Sequence, residues 1–225
     1  MGEDDFYSFT TGVIRRNRMF IPIYWDLRRS VGVLVIRPRC IRGHDLYCKG
    51  RCEMNVQLIR AEVEQRQILS NLVQFYLHDF SSYIDLDVES NGRYTDYPLL
   101  DYWTKPKHDP YFVIVDNCYA GFVLVKQIEI RQRPYHSIAE FFIMRKYRRQ
   151  GLGRLVARQI FQDYEGRWHV SQLKENQPAQ TFWRKVIEEW TDGEFTEHIG
   201  VRKITHFFNQ YICEVESECF PSMES

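Results

Sequence analysis

The stretch Phe141-Phe-Ile-Met-Arg-Lys-Tyr-Arg-Arg-Gln-Gly-Leu-Gly-Arg154 decides how this chain is read. An apolar run, Ser137 to Met144, predicts a strand inside a sheet; the basic turn 145–150 follows, and a helical pattern continues from Gly151 to about Tyr164. Gly151 and Gly153 omit side chains that would hold an anion away, and a helix beginning there offers free backbone N–H groups and a positive dipole end. That combination is a cradle for linked phosphates. It is not the dinucleotide fingerprint, because Val156 stands where the third glycine belongs, and no Gly-Lys-Ser or Gly-Lys-Thr of a P-loop occurs. Arg145, Lys146, Arg148, Arg149 and Arg154 could also form a nucleic-acid patch, but glycines at a strand-to-helix junction suit a compact diphosphate better.

Working outward, Trp168 to Leu173 predicts another strand after Gly166 ends the helix. Pro178 then opens a helix with Phe182, Trp183, Val186, Ile187 and Trp190 along one face, closed by Gly193. Two short strands follow, around Phe195 and from Ile204 to Ile212, and a loose tail after Glu214. Upstream, Val56, Leu58 and Ile59 mark a strand. Ile68, Leu69, Leu72, Val73 and Tyr76 mark a helix that stops near His78-Asp79. A polar and aromatic stretch leads to a strand at 111–115, and the turn 116–121 returns the chain into 122–130 as a β-hairpin. The order is that of one α/β domain around a mixed sheet.

Composition limits the partners. The 225 residues carry 30 Lys plus Arg and 30 Asp plus Glu, so no overall field attracts nucleic acid or an anionic membrane. No apolar run approaches the roughly 18 residues of a membrane span. Residues 1–53 hold 10 basic and 6 acidic side chains, and their short apolar runs, such as Val31 to Ile36, have no sustained period, so no element is placed there. Lys49-Gly-Arg51 permits codons that spell a ribosome-binding sequence shortly before Met54, which makes Met54 a candidate start and 1–53 an extension of uncertain structure. The domain is then 54–214, with a flexible tail at 215–225. Cys40, Cys48, Cys52, Cys118, Cys213 and Cys219 read as reduced thiols of a cytoplasmic protein, Cys118 being incidental in a hairpin turn. Cys40, His44, Cys48 and Cys52 are spaced by four, which on one helix strings them over about 18 Å, too far for one tetrahedral zinc ion, although a loop could gather them. No metal is expected.

Arg148-Arg-Gln-Gly-Leu-Gly153, with the strand before it and the helix after it, resembles the acyl-CoA loop of the GNAT superfamily of N-acetyltransferases. Asn176-Gln-Pro-Ala179 and Phe182-Trp183 resemble its second signature, so the likeness covers about 55–212 in element order. It implies a largely antiparallel mixed sheet flanked by helices, and a V-shaped opening between the strands at 141–144 and 168–173 that takes the pantetheine arm of acetyl-CoA. Phe141, Phe142 and Ile143 would supply backbone contacts to that arm, and an N–H near Ile143 would stabilise the oxyanion of the attacked thioester. Arg148, Arg149, Gln150, Gly151, Leu152, Gly153 and Arg154 would hold the diphosphate, and Asn176 the pantetheine amides.

The resemblance implies direct transfer of the acetyl group to an amine in a ternary complex, without a metal or an acyl-enzyme. Glu140, just ahead of the cofactor-binding backbone, is the expected amine anchor or water-mediated base; a strand carboxylate in an ion pair is the bland alternative. His78 and Asp79 fall where the superfamily forms its acceptor pocket, although such a pair also suits a solvated helix end. The loop 83–103, with Asp85, Asp87, Asp96 and Asp101, would suit a small cationic amine or be a solvated face. One departure stands out: Trp183 occupies the place of the family's usual acidic Tyr, and an indole N–H has no useful acidity. Two rivals therefore stay open, an acyl-CoA-binding sensor or partner module with weak turnover, and an acetyltransferase for protein amino groups. No nucleic acid or membrane partner is expected, and the oligomeric state is open, a homodimer being one option.

Overall fold

The computed structural model describes residues 23–26, 31–36 and 54–209. Among these residues nine strands form one sheet in the order β1-β2-β3-β4-β5-β6-β7-β9-β8. They are β1 (Ile23–Asp26), β2 (Val31–Ile36), β3 (Met54–Arg60), β4 (His108–Val115), β5 (Cys118–Ile130), β6 (Arg133–Ile143), β7 (Trp168–Leu173), β8 (Phe195–Ile199) and β9 (Lys203–Phe208). The helices are α1 (Arg66–Phe80), the single turn α2 (Asp101–Thr104), α3 (Leu152–Asp163) and α4 (Gln177–Thr191). Every strand pair is antiparallel except β6 with β7, which are joined through α3 and run parallel. The mixed, largely antiparallel sheet with flanking helices is the expected architecture.

Two cores face away from the sheet on opposite sides. Leu69, Leu72 and Val73 of α1, spaced for one helical face, pack with Leu99, Tyr102, Phe112, Phe122, Leu124 and Phe142. Val156, Ala157, Ile160 and Phe161 of α3 and Trp183, Val186 and Ile187 of α4 pack on the other side, with Val123, Val125, Ile138, Ile143, Trp168 and Val170. Residues 120–125 of β5 are buried without interruption because that strand has helices on both faces. Trp168 and Phe161, whose ring centroids lie 4.9 Å apart, are both in this second core.

Differences from the sequence reading have local causes. Val31–Ile36, where no element was expected, is a strand that pairs with both β1 and β3. A strand partnered on both sides gains its ladder from its neighbours and needs no alternating pattern. The β4–β5 turn is Asp116-Asn117 alone, both left-handed at φ 49° and 63°, so Cys118 opens β5 and is exposed. β6 begins at Arg133 rather than Ser137, because Arg131 and Gln132 form an equally tight left-handed turn without turn-forming residue types. β9 ends at Phe208. Cys40, His44, Cys48, Cys52, the Met54 start and the tail after Glu214 concern segments outside the described residues or the chain's own origin.

Candidate active site

β6 and β7 pair only at His136↔Trp168 and Ser137↔His169, then part, while β7 continues to pair with β9 as far as Leu173. The flank of β6 from Ile138 to Ile143 that faces β7 therefore has no strand partner. This is the V-shaped opening. Which peptide groups face it follows from strand alternation. Met144 donates its N–H to the Ala120 carbonyl of β5 at 2.8 Å, so the N–H and C=O of Ile143 point the other way, into the gap, as do those of Phe141. The Phe142 carbonyl points at β5, close enough that a Cβ on Gly121 would lie 2.0 Å from it. Of the three expected backbone contacts, Phe141 and Ile143 face the opening; Phe142 instead serves the sheet and, with its ring, the α1-side core.

At the wide end of the gap the chain turns into α3. Arg149 has φ 62° and Gly151, the N-cap, φ 82°. No side chain caps the helix, so the N–H groups of Leu152, Gly153 and Arg154 have no partner within it. Nothing lies within 4 Å of where a Cβ on Gly151 would stand, which leaves the approach to those groups open. Gly153 has a packing part besides: a Cβ there would meet the Phe182 ring at 3.3 Å, so its bareness also seats an aromatic side chain of α4, while its N–H remains at the open helix end. Leu152 is buried with its side chain in the core and can offer only its backbone. Gln150 donates to the Lys146 carbonyl at 2.8 Å and shapes the turn.

The arginines differ in how free they are. Arg149 is exposed and has no ion-pair partner among the described residues. Arg154 pairs with Glu189 of α4 at 2.7 Å. Arg148 is the most committed: its Nε donates to the Ile143 carbonyl at 2.6 Å, its guanidinium pairs with Asp79 and lies 5.4 Å from the Phe142 ring centre. Asp79 also accepts from Arg145 at 2.9 Å. Burial pushes the Asp79 carboxyl up, but the hydrogen bonds and charges of Arg148 and Arg145 outweigh it and hold the group below its ordinary value. Asp79 thus ties the end of α1 to the basic turn before α3, and His78 beside it is largely exposed, with 70% of its side chain in solvent. Neither residue touches Glu140.

Glu140 is reached from two other places. The register of β5 against β6 shifts between Leu124↔Glu140 and Val125↔Ile138, leaving Ala139 as the extra residue of a bulge. The bulge puts Glu140 on the α1 side although Ile138, two residues earlier, faces α3 and α4. Its carboxylate accepts from the hydroxyl of Tyr76 on α1 and, at 2.8 Å, from that of Tyr97 in the loop before α2. Burial pushes the Glu140 carboxyl above its ordinary value, against the Tyr76 and Tyr97 hydrogen bonds and the positive charges of Lys126 and Lys203. Burial and the Glu140 charge raise both phenols as well, so they stay protonated donors.

The periodicity of α1 places Tyr76 on its apolar face and says nothing of its hydroxyl; Tyr97 was hidden among the aromatic residues of an irregular loop. A hydroxyl at the end of an apolar stripe was the available signal. The aspartates of that loop do not join the site: Asp85 and Asp87 are exposed, Asp96 lies 3.8 Å from Arg93, and Asp101 pairs with Lys105 at 2.7 Å. Asn176 is the N-cap of α4, where its side-chain oxygen accepts from the Ala179 N–H at 3.1 Å, leaving its NH2 group and the second lone pair of that oxygen for a ligand. Trp183 is buried, edge-on to Phe141 at 5.1 Å, and is packing rather than an acid. Among the described residues no group of three or more His, Cys, Asp or Glu is placed to hold a metal, and no helix is long and apolar enough to cross a membrane.

No curated protein matches the chain. Among solved structures, the chain is similar to an acetyltransferase from Thermus thermophilus, with 14% identity, 68% of this chain and 96% of that one covered, and a TM-score of 0.54. It is also similar to the GNAT domain of S. lividans PAT, with 12% identity, 78% and 96% coverage, and a TM-score of 0.50. At such identities the likeness is one of fold. The family model described as Acetyltransferase (GNAT) family matches residues 70–187, just over half of the 225. That match runs from within α1 into α4 and so takes in the parted strands and the helix that opens at Gly151; the chain belongs to the GNAT family of acetyltransferases.

Proposed function

We propose that the protein transfers the acetyl group of acetyl-CoA to the primary amine of a small cationic molecule, by direct attack within a ternary complex. The observation that carries this reading is the Glu140 carboxylate, re-aimed by a bulge and held by two phenol hydroxyls one residue before the strand edge that faces the β6–β7 gap. The residues present fit acetyl-CoA: peptide groups of Phe141 and Ile143 face the gap, and the open N-terminus of α3 with Arg149 suits a diphosphate.

In the reaction the amine nitrogen forms a bond to the thioester carbon and the C–S bond breaks. The N–H of Ile143 stabilises the intervening oxyanion. Glu140 as the carboxylate anchors the ammonium group and accepts its proton directly or through water, and burial, by raising its carboxyl above the ordinary value, makes it the stronger base. Because Trp183 cannot serve as an acid, the proton that completes CoA-SH comes from the attacking nitrogen or from water. Release of free thiol with a panel of polyamines and aminoglycosides tests the reading, and turnover only with peptides would move the acceptor to protein amino groups. The buried Trp183 favours one other reading, an acyl-CoA-binding module without turnover. Calorimetric CoA binding with no thiol release for any acceptor would favour it.

A further inference from the structure

Gln172 of β7 is only 5% exposed, yet neither its amide nitrogen nor its side-chain oxygen has a hydrogen-bond partner among the described residues. Such groups are nearly always satisfied when buried, and each exception calls for an explanation. By strand alternation Gln172 shares a face with Trp168 and Val170, both buried in the core under α3 and α4, where an apolar side chain would cost less. Its place along the strand is specific. On one flank it pairs with Ile204 of β9; on the other, β6 left β7 three residues earlier, at Ser137↔His169. Gln172 therefore stands beside the gap, with both of its hydrogen-bonding functions unused. The Trp168 indole N–H is also unpartnered, but it lies at the closed end, where β6 and β7 are still paired.

We propose that Gln172 is a ligand-binding residue whose carboxamide hydrogen-bonds the amides of the pantetheine arm as that arm lies between β6 and β7. This rests on the reading that acetyl-CoA enters the gap. A carboxamide both donates and accepts, and the arm carries secondary amides with N–H and C=O groups of their own, so the two chemistries complement each other without any charge. Asn176, the other carboxamide at this end of β7, already uses one lone pair of its oxygen in the α4 cap, which also fixes its orientation. Gln172 has its whole carboxamide, both N–H groups and both lone pairs of the oxygen, without a partner among the described residues.

The test compares the wild type with Gln172→Leu, of similar size without polar atoms, in two measurements. Calorimetry with CoA and with adenosine 3′,5′-bisphosphate, which lacks the arm, should show about tenfold weaker binding of CoA and unchanged binding of the bisphosphate. Thermal unfolding without ligand should show the variant as stable as the wild type or more so, since an unmet buried carboxamide has been removed. Equal CoA affinity in both proteins overturns the proposal, as does equal weakening of both ligands, which would place the effect in the phosphate loop. A clear loss of unliganded stability in both Gln172→Leu and Gln172→Met also overturns it, by showing that the group is already satisfied without a ligand. Gln172→Met, which keeps the side-chain length, replaces the Leu variant if that one does not fold. If wild-type protein binds the bisphosphate but gains nothing from the arm, Gln172 is misassigned; if it binds neither, the acetyl-CoA reading itself fails.

Discussion

The Nε of Arg148 donates to the carbonyl of Ile143 at 2.6 Å, and the same guanidinium pairs with Asp79, so one side chain joins the free edge of β6 to the end of α1. The peptide edge facing the gap and the helix carrying Tyr76 are thereby held in a fixed relation. Asp79, with its carboxyl below the ordinary range, is the anionic half of this link. A depressed carboxylate contributes stability that is present above its unfolded pKa, about 3.9, and is lost as the pH falls through that value toward the lower folded one. Asp79→Asn should therefore melt below the wild type at pH 6, and the gap should close as the pH approaches 3. Melting curves whose difference does not change with pH would rule this out.

Glu140 has the opposite sign. Its carboxyl is raised by burial, so a reaction that needs the ionised form should lose rate as the pH falls through a value above the usual 4.3. Glu140→Gln should lower kcat by about 10²- to 10⁴-fold, the range for a general base, with CoA affinity changed less than twofold. The Tyr76 hydrogen bond lowers the Glu140 pKa, so Tyr76→Phe should move the acid limb of the pH–rate profile to higher pH. A limb that stays in place would remove Tyr76 from the site.

The arginines of the loop should separate by their partners. Arg149→Ala removes a cation with no competing carboxylate, whereas Arg154→Ala removes one already shared with Glu189. CoA binding should weaken more in the first variant, and the difference should shrink at high salt, as screening of exposed charges requires. Equal losses, or losses insensitive to salt, would place the diphosphate elsewhere.

The two glycines of the loop should respond to alanine for different reasons. Gly151→Ala puts a Cβ on a residue with φ 82°, a strain of about 1–2 kcal/mol, in otherwise open space. Gly153→Ala meets the Phe182 ring at 3.3 Å instead, so trimming that ring with Phe182→Leu should restore part of the melting temperature lost in Gly153→Ala and none of that lost in Gly151→Ala. Recovery in both, or in neither, would contradict these separate roles.

Local pattern was enough for the elements that a short window encodes. The strand before the basic turn, the helix opening at Gly151, and the apolar faces of α1 and α4 all repeat within a few residues, and the proposed diphosphate site is itself local, a turn and a helix end. The surroundings of Glu140 are not local. Tyr76 and Tyr97 lie 64 and 43 residues away in the chain, and they meet the carboxylate only because a one-residue bulge at Ala139 reverses the facing that simple alternation assigns. The same holds for Asp79, whose partners Arg145 and Arg148 arrive from the far end of β6, and for Gln172, whose buried and unpartnered state depends on where β6 and β7 stop pairing. Periodicity reports which face a residue prefers; only the assembled sheet fixes which groups stand opposite it and which are left without a partner.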